Sequence, residues 1–178
     1  MSTLQSCTMK VLDTERLSLR RLVPSDDAFI LRLLNDPGWI RYIGDRGVRT
    51  VEAARAYLEA RMLSQYATYG FGLWMVESRE GGEPMGICGL VKRDTLPLPD
   101  LGFAFMPAYR GHGFAYESAL AVRDHATGVL GIARLLAITS PVNEASARLL
   151  VRLGFVAEGR MPWAGDDKDP VTVYAFPA

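Results

Sequence analysis

A chain of 178 residues with 49% hydrophobic content can bury one sizeable core, but it is short for several domains. Its 20 basic and 20 acidic residues leave a formal net charge of +0, which argues against a sequence-independent grip on nucleic acid. No apolar run approaches the roughly 18 residues of a membrane span, and the opening MSTLQSCTMK lacks the basic start and apolar core of a signal peptide. A cytoplasmic protein without a membrane partner is expected. Cys7 and Cys88 fit neither a metal site nor a catalytic pair, so reduced thiols and no metal are expected.

In chain order, residues 1–13 carry no clear pattern and are expected to form a flexible N-terminal segment. In ERLSLRRLV, Leu17 and Leu19 alternate with charged and polar residues, the mark of a half-buried strand. Pro24 closes it, and Ser25 is the expected N-cap of a helix with Asp26 and Asp27 in its first turn. That helix should end at Asn35-Asp36-Pro37-Gly38, followed by a loop, GWIRYIGDRG, holding Trp39, Tyr42 and Ile43. Thr50 is placed to cap a second helix with Val51, Ala54, Leu58, Met62 and Tyr66 on its apolar side.

Strands are predicted over Phe71 to Glu77 and Met85 to Val91, paired as a hairpin across a Gly- and Pro-bearing turn. A strand from Leu101 to Phe105 then feeds a tight loop (Arg110, Gly111, His112, Gly113) and a long helix with Ala115, Ala119, Val122, Ala126 and Val129 at helical spacing. Leu135 to Thr139 is continuously apolar, as in a strand buried on both faces. Asn143 starts a helix that ends at Gly154, and two strands, Phe155 to Arg160 and Val171 to Phe176, follow around a polar loop, PWAGDDKDP. The order predicts a mixed α/β domain around one sheet.

The strand–loop–helix unit carries the chemistry. The first N–H groups of the helix have no intrahelical partner, and with the positive end of the helix dipole they make an anion site. Gly111 and Gly113 let backbone approach a ligand, and Arg110 adds a positive charge, so the unit reads as a phosphate or pyrophosphate cradle. A dinucleotide fingerprint requires a third glycine where Tyr116 stands, and a nucleoside-triphosphate loop requires a lysine, absent between Arg93 and Lys168.

PAYRGHGFAYES resembles the acyl-CoA pyrophosphate loop of the GNAT superfamily of N-acyltransferases, Gln/Arg-x-x-Gly-x-Gly/Ala, with Arg110, Gly113 and Ala115 in place. TERLSLRRLVPSDD resembles the opening strand of the branch containing the ribosomal-protein N-terminal acetyltransferases (RimJ/RimL-like), and NEASARLLVRLGFVAEG resembles that branch's second cofactor motif. The resemblance implies one GNAT-like domain over residues 1–178, with a mostly antiparallel, splayed sheet flanked by about four helices. It implies acetyl-CoA as cosubstrate, its pyrophosphate on the backbone of Gly111, His112, Gly113, Phe114 and Ala115 beside Arg110. Phe103, Ala104 and Phe105 would line the pantetheine gap, with backbone near Phe105 polarising the thioester carbonyl.

Asn143 is expected to bond the pantetheine amide, to cap its helix, or both. Ser146 would donate a proton to the leaving thiolate, or else be an ordinary helix serine. For a base acting on the amine, Asp100 leads, followed by Asp94 and Glu77; each is otherwise a solvated turn acid. His125 reads as a surface residue. Trp39, Tyr42 and Trp74 are expected at the acceptor pocket, where a packed core would also use aromatics. The implied reaction is direct attack of a neutral amine on the acetyl thioester. A protein N-terminal amine is the favoured acceptor, with an aminoglycoside, polyamine or amino sugar as the alternative. A non-catalytic acyl-CoA sensor remains open, as does a monomer or homodimer.

Overall fold

The computed structural model describes residues 9–163 and 166–177; Cys7 and residues 164–165 of the polar loop lie outside them. Eight strands form one sheet: β1 (Lys10–Asp13), β2 (Leu17–Arg21), β3 (Leu73–Ser78), β4 (Pro84–Val91), β5 (Asp100–Phe105), β6 (Leu135–Thr139), β7 (Val156–Trp163) and β8 (Asp166–Phe176). They lie in the order β1-β2-β3-β4-β5-β6-β8-β7. Every neighbouring pair is antiparallel except β5 and β6. Six helices pack on the sheet: α1 (Asp27–Leu34), α2 (Pro37–Tyr42), α3 (Val51–Leu58), α4 (Ser64–Tyr69), α5 (Phe114–Gly128) and α6 (Glu144–Arg152).

Strand alternation divides the core in two. Along β3, Trp74 and Val76 face α5, where they pack with Cys88, Ala119, Val122 and Ala126. Leu73 and Met75 face the other way, toward Phe29, Ile30 and Leu33 of α1 and Ala54 and Leu58 of α3. Each leucine fully removed from water contributes about 1.5–3 kcal/mol to this packing. Cys88 is buried, and burial pushes its thiol up to about 12, so it behaves as a small core residue.

Several elements depart from the sequence reading. Lys10–Asp13, expected to be flexible, pair with β2 as an edge strand. Ser25 is not the cap it was expected to be. A 3-10 turn (Pro24–Asp26) precedes α1, and the Asp26 carboxylate accepts from the Val23 N–H at 2.8 Å and pairs with Arg20 at 2.9 Å. The breaker cluster at Asn35–Gly38 starts a helix rather than a loop, because Asp36 accepts from the Trp39 N–H (3.1 Å) and Pro37 takes the first helical position. Thr50 caps α3 as expected, through a hydrogen bond from the Ala53 N–H at 3.1 Å. A π turn over Glu59–Leu63 then separates α3 from α4, and Tyr66 beyond it turns its hydroxyl to the Leu73 carbonyl and the Leu22 N–H.

The feature that positions the site is where the sheet opens. β4 and β5 stay in register from Asp100 to Phe105, but β5 and β6 meet only at Asp100 opposite Leu136. The Leu136 N–H donates to the Pro99 carbonyl at 2.9 Å, so the odd-numbered residues of β5 turn their backbone groups toward β6. Beyond that point the strands part, and the backbone of Phe103 and Phe105 faces a gap.

Candidate functional site

The loop after β5, where an anion cradle is expected, has the backbone geometry such a site needs. Gly111 (φ +77°) and Gly113 (φ +81°) take the left-handed conformation that favours glycine, and a Cβ on Gly111 would meet nothing within 4 Å. The Glu117 N–H closes on the Gly113 carbonyl at 3.0 Å, so the N–H groups ahead of it at the start of α5 have no intrahelical acceptor. Two arginines hold this loop. Arg16 donates to the His112 carbonyl (3.0 Å), pairs with Glu117 (2.7 Å) and lies 4.4 Å over the Phe114 ring. Burial opposes ionisation of Glu117, but hydrogen bonds from Thr14 and Arg16 outweigh it and hold the carboxyl below its usual range.

Arg110 is the second clamp. Its guanidinium donates to the Phe105 carbonyl at 2.9 Å and pairs with the buried Asp36 carboxylate. Arg110, expected to add a positive charge beside a phosphate, is paired here with Asp36, a buried acid that requires a counter-ion. This pair also ties the glycine loop to the start of α2, a link that the spacing of the two segments did not reveal.

A cleft of about 810 Å³ runs through the opened sheet. On the α5 side its wall includes Phe103, Asn143, Ser146 and Leu150. Asn143 caps α6 by accepting from the Ser146 N–H at 3.2 Å, which leaves its amide NH2 without a partner among the described residues. The half-buried Ser146 hydroxyl likewise has none. On the opposite side the wall includes Trp39, Tyr42, Arg46, Leu73, Ala104 and Trp163.

Asp100 lines the cleft and shares its face of β5 with Gly102 and Ala104. It is 1% exposed, one oxygen accepts from Arg93 Nε at 2.6 Å, and the other has no partner among the described residues. Burial pushes the Asp100 carboxyl above its usual range, with the Arg93 charge opposing. Arg93 in turn lies 5.1 Å over the Trp163 ring, which steadies the pair at the closed end of the gap.

Other candidates lie elsewhere. Trp74, expected at the acceptor pocket, is 2% exposed in the α5 core, because alternation along β3 turns it away from the cleft wall. Phe105 is likewise buried under α5 and offers only backbone to the gap. Glu77 is taken by Arg20 at 2.7 Å and does not line the cleft. Asp94 is exposed at its rim. His112 is exposed in the loop beside Phe114, and His125, expected on the surface, sets an edge against Trp74, with burial lowering its pKa. Arg16, Asp36 and Arg46 were not singled out from sequence, where each stands among several similar charges.

The parts present fit an acyl-CoA: unpaired N–H groups for pyrophosphate, a gap with free strand backbone, and an unengaged amide at Asn143. Comparison with known proteins agrees. A family model described as an acetyltransferase (GNAT) domain matches residues 16–156. The chain is 28% identical over 150 residues to an uncharacterized N-acetyltransferase, YoaA of Bacillus subtilis, an alignment covering 84% of each protein. Its fold is similar to that of RimL, a ribosomal L7/L12 alpha-N-protein acetyltransferase solved in complex with coenzyme A (TM-score 0.79, 19% identity, 93% and 96% of the two chains). It is also similar to spermidine N-acetyltransferase from Vibrio cholerae, solved with CoA and spermine (TM-score 0.75, 17% identity, 92% and 96%). At those identities the two structures speak for the fold and for neither branch. The match across most of the chain, on a sheet that opens beside a glycine loop, places this protein in the GNAT family of acetyltransferases.

Proposed function

We propose that this acetyltransferase uses acetyl-CoA to acetylate a neutral primary amine, with a protein N-terminal α-amine as the preferred acceptor. The observation that carries the reading is the cleft that passes through the sheet, with Asn143 and Ser146 on one side and the unpartnered oxygen of Asp100 on the other. Acetyl-CoA supplies the activated acetyl group. The N–H groups at the start of α5 bind its pyrophosphate, and the Asn143 amide orients its pantetheine arm. Backbone groups of β5 facing the gap stabilise charge that develops on the carbonyl oxygen. Asp100 accepts the proton from the attacking amine, directly or through water, and Ser146 donates one to the departing sulfur.

The preference for an α-amine rests on acid–base arithmetic and on the RimJ/RimL-like motifs near both ends of the chain. With a pKa near 8, roughly a tenth of α-amines are neutral at pH 7, against roughly one in 2,500 lysine amines. One buried carboxylate suits the smaller task. The test is release of free thiol from acetyl-CoA with three acceptors: a short peptide with a free N-terminus, the same peptide N-blocked but carrying a lysine, and a polyamine. Turnover should be confined to, or fastest with, the free α-amine. Turnover only with the polyamine or lysine would overturn the acceptor assignment. Cofactor binding with no turnover on any amine would make the chain an acyl-CoA sensor.

A further inference from the structure

Among the described residues, three buried side-chain polar atoms have no hydrogen-bond partner: Trp39 Nε1, Arg46 Nε and Asp100 Oδ1. All three residues line the same cleft. Folded proteins rarely leave buried polar atoms unpaired, and three gathered on one cavity point to a ligand that pairs them. Their chemistry is not uniform. The indole N–H and the guanidinium can only donate, and the carboxylate oxygen can only accept while ionised.

Arg46 is the informative member. Arg49, Arg55, Arg93 and Arg110 pair with Asp45, Asp27, Asp100 and Asp36. Arg61 on the same cleft, like Arg46, has no carboxylate partner among the described residues; of the two, Arg46 is the one whose Nε is buried. Around it the cleft carries Arg61, Lys92 and Arg93 against Asp94 and Asp100, so the described wall holds more positive than negative side chains. A polyamine would place its second ammonium among these cations. A guanidinium fork and an indole N–H on the wall of one cleft offer the donors a carboxylate takes.

We infer that the acceptor is an amine that also carries a carboxylate, held by Arg46 and the Trp39 indole while its amine end faces Asp100. This rests on the transferase reading above and adds to it. For a protein substrate it means Asp or Glu close behind the N-terminal residue; a free acidic amino acid presents the same chemistry.

The experiment measures thiol release with otherwise identical short peptides bearing Glu, Gln or Lys at the second position, and with free glutamate and spermidine. The Glu peptide should exceed the Gln peptide in kcat/KM by about tenfold or more, chiefly through KM. In Arg46→Gln that ratio should fall to about one, and in Arg46→Glu the Lys peptide should become the better substrate. If free glutamate alone is turned over, the carboxylate assignment stands and the acceptor is a small molecule. A Glu-to-Gln ratio near one in the native chain, a ratio that survives Arg46→Gln, or preference for spermidine would overturn the inference. Absence of turnover with every amine would instead overturn the transferase reading, and this inference with it.

Discussion

Replacing Gly113 with Asp is expected to weaken acetyl-CoA binding at least about 100-fold, roughly 2.7 kcal/mol, while the fold survives. Gly113 is the N-cap of α5 with φ +81°, where a side chain costs about 1–2 kcal/mol but Asp is among the better tolerated residues. Its new Cβ would lie 3.4 Å from Arg16 Nη2, an ordinary contact with a flexible side chain. Asp is also a favoured helix cap. Its carboxylate would take the N–H groups that the pyrophosphate needs and would repel the pyrophosphate itself. Gly113→Ala separates the two effects, since it adds strain without charge and should weaken binding less. Binding is read by calorimetry and folding by thermal melting. Normal affinity in the Asp variant would mean that the phosphate site lies elsewhere.

Asp100→Asn should lower kcat by about 10²–10⁴-fold, the usual contribution of a positioned base. The pH profile carries the stronger signature. Asp100 works as a base only when ionised, and burial raises its pKa. In the native chain kcat should therefore fall as pH drops, with the acidic limb above the ordinary carboxylate range. Asn should abolish that limb. Stability should move the other way. The folded state holds this proton more tightly than the unfolded state, so stability is lost as pH rises through the interval between the two pKa values. Above that interval the ionised Asp100 opposes folding, and there Asp100→Asn should melt no lower than the native chain. An unchanged kcat, or a lost limb with no change in rate at its plateau, would remove Asp100 from the reaction.

Much of this was legible because local rules and the global fold agreed. Thr50 and Asn143 sit where caps belong, and both cap. The apolar run Leu135–Thr139 is a strand with those bounds. The glycine loop announced itself through two glycines ahead of an amphipathic helix. What escaped was set by partners distant in sequence. Asp36 looked like part of a breaker cluster; it caps α2 locally, and what the sequence did not show is that the same carboxylate pairs with Arg110, 74 positions away. Trp74 looked like an exposed pocket aromatic because alternation alone does not say which face of β3 meets α5. Lys10–Asp13 are short and polar enough to hide an edge strand, whose ladder needs only backbone. Arg46 is unremarkable in sequence, and its meaning comes from the lack of a partner for its buried Nε among the described residues.

The central claim, an acyl-CoA site at the start of α5, is tested most directly by thermal melting with and without acetyl-CoA, on the native chain and on Gly113→Asp. Ligand at about a hundred times its dissociation constant should add roughly 2.7 kcal/mol of stability to the native chain, a shift of several degrees, and no more than roughly 0.4 kcal/mol to the variant, a shift of about two degrees or less. No shift in the native chain at millimolar acetyl-CoA, or an equal shift in both, would contradict the account.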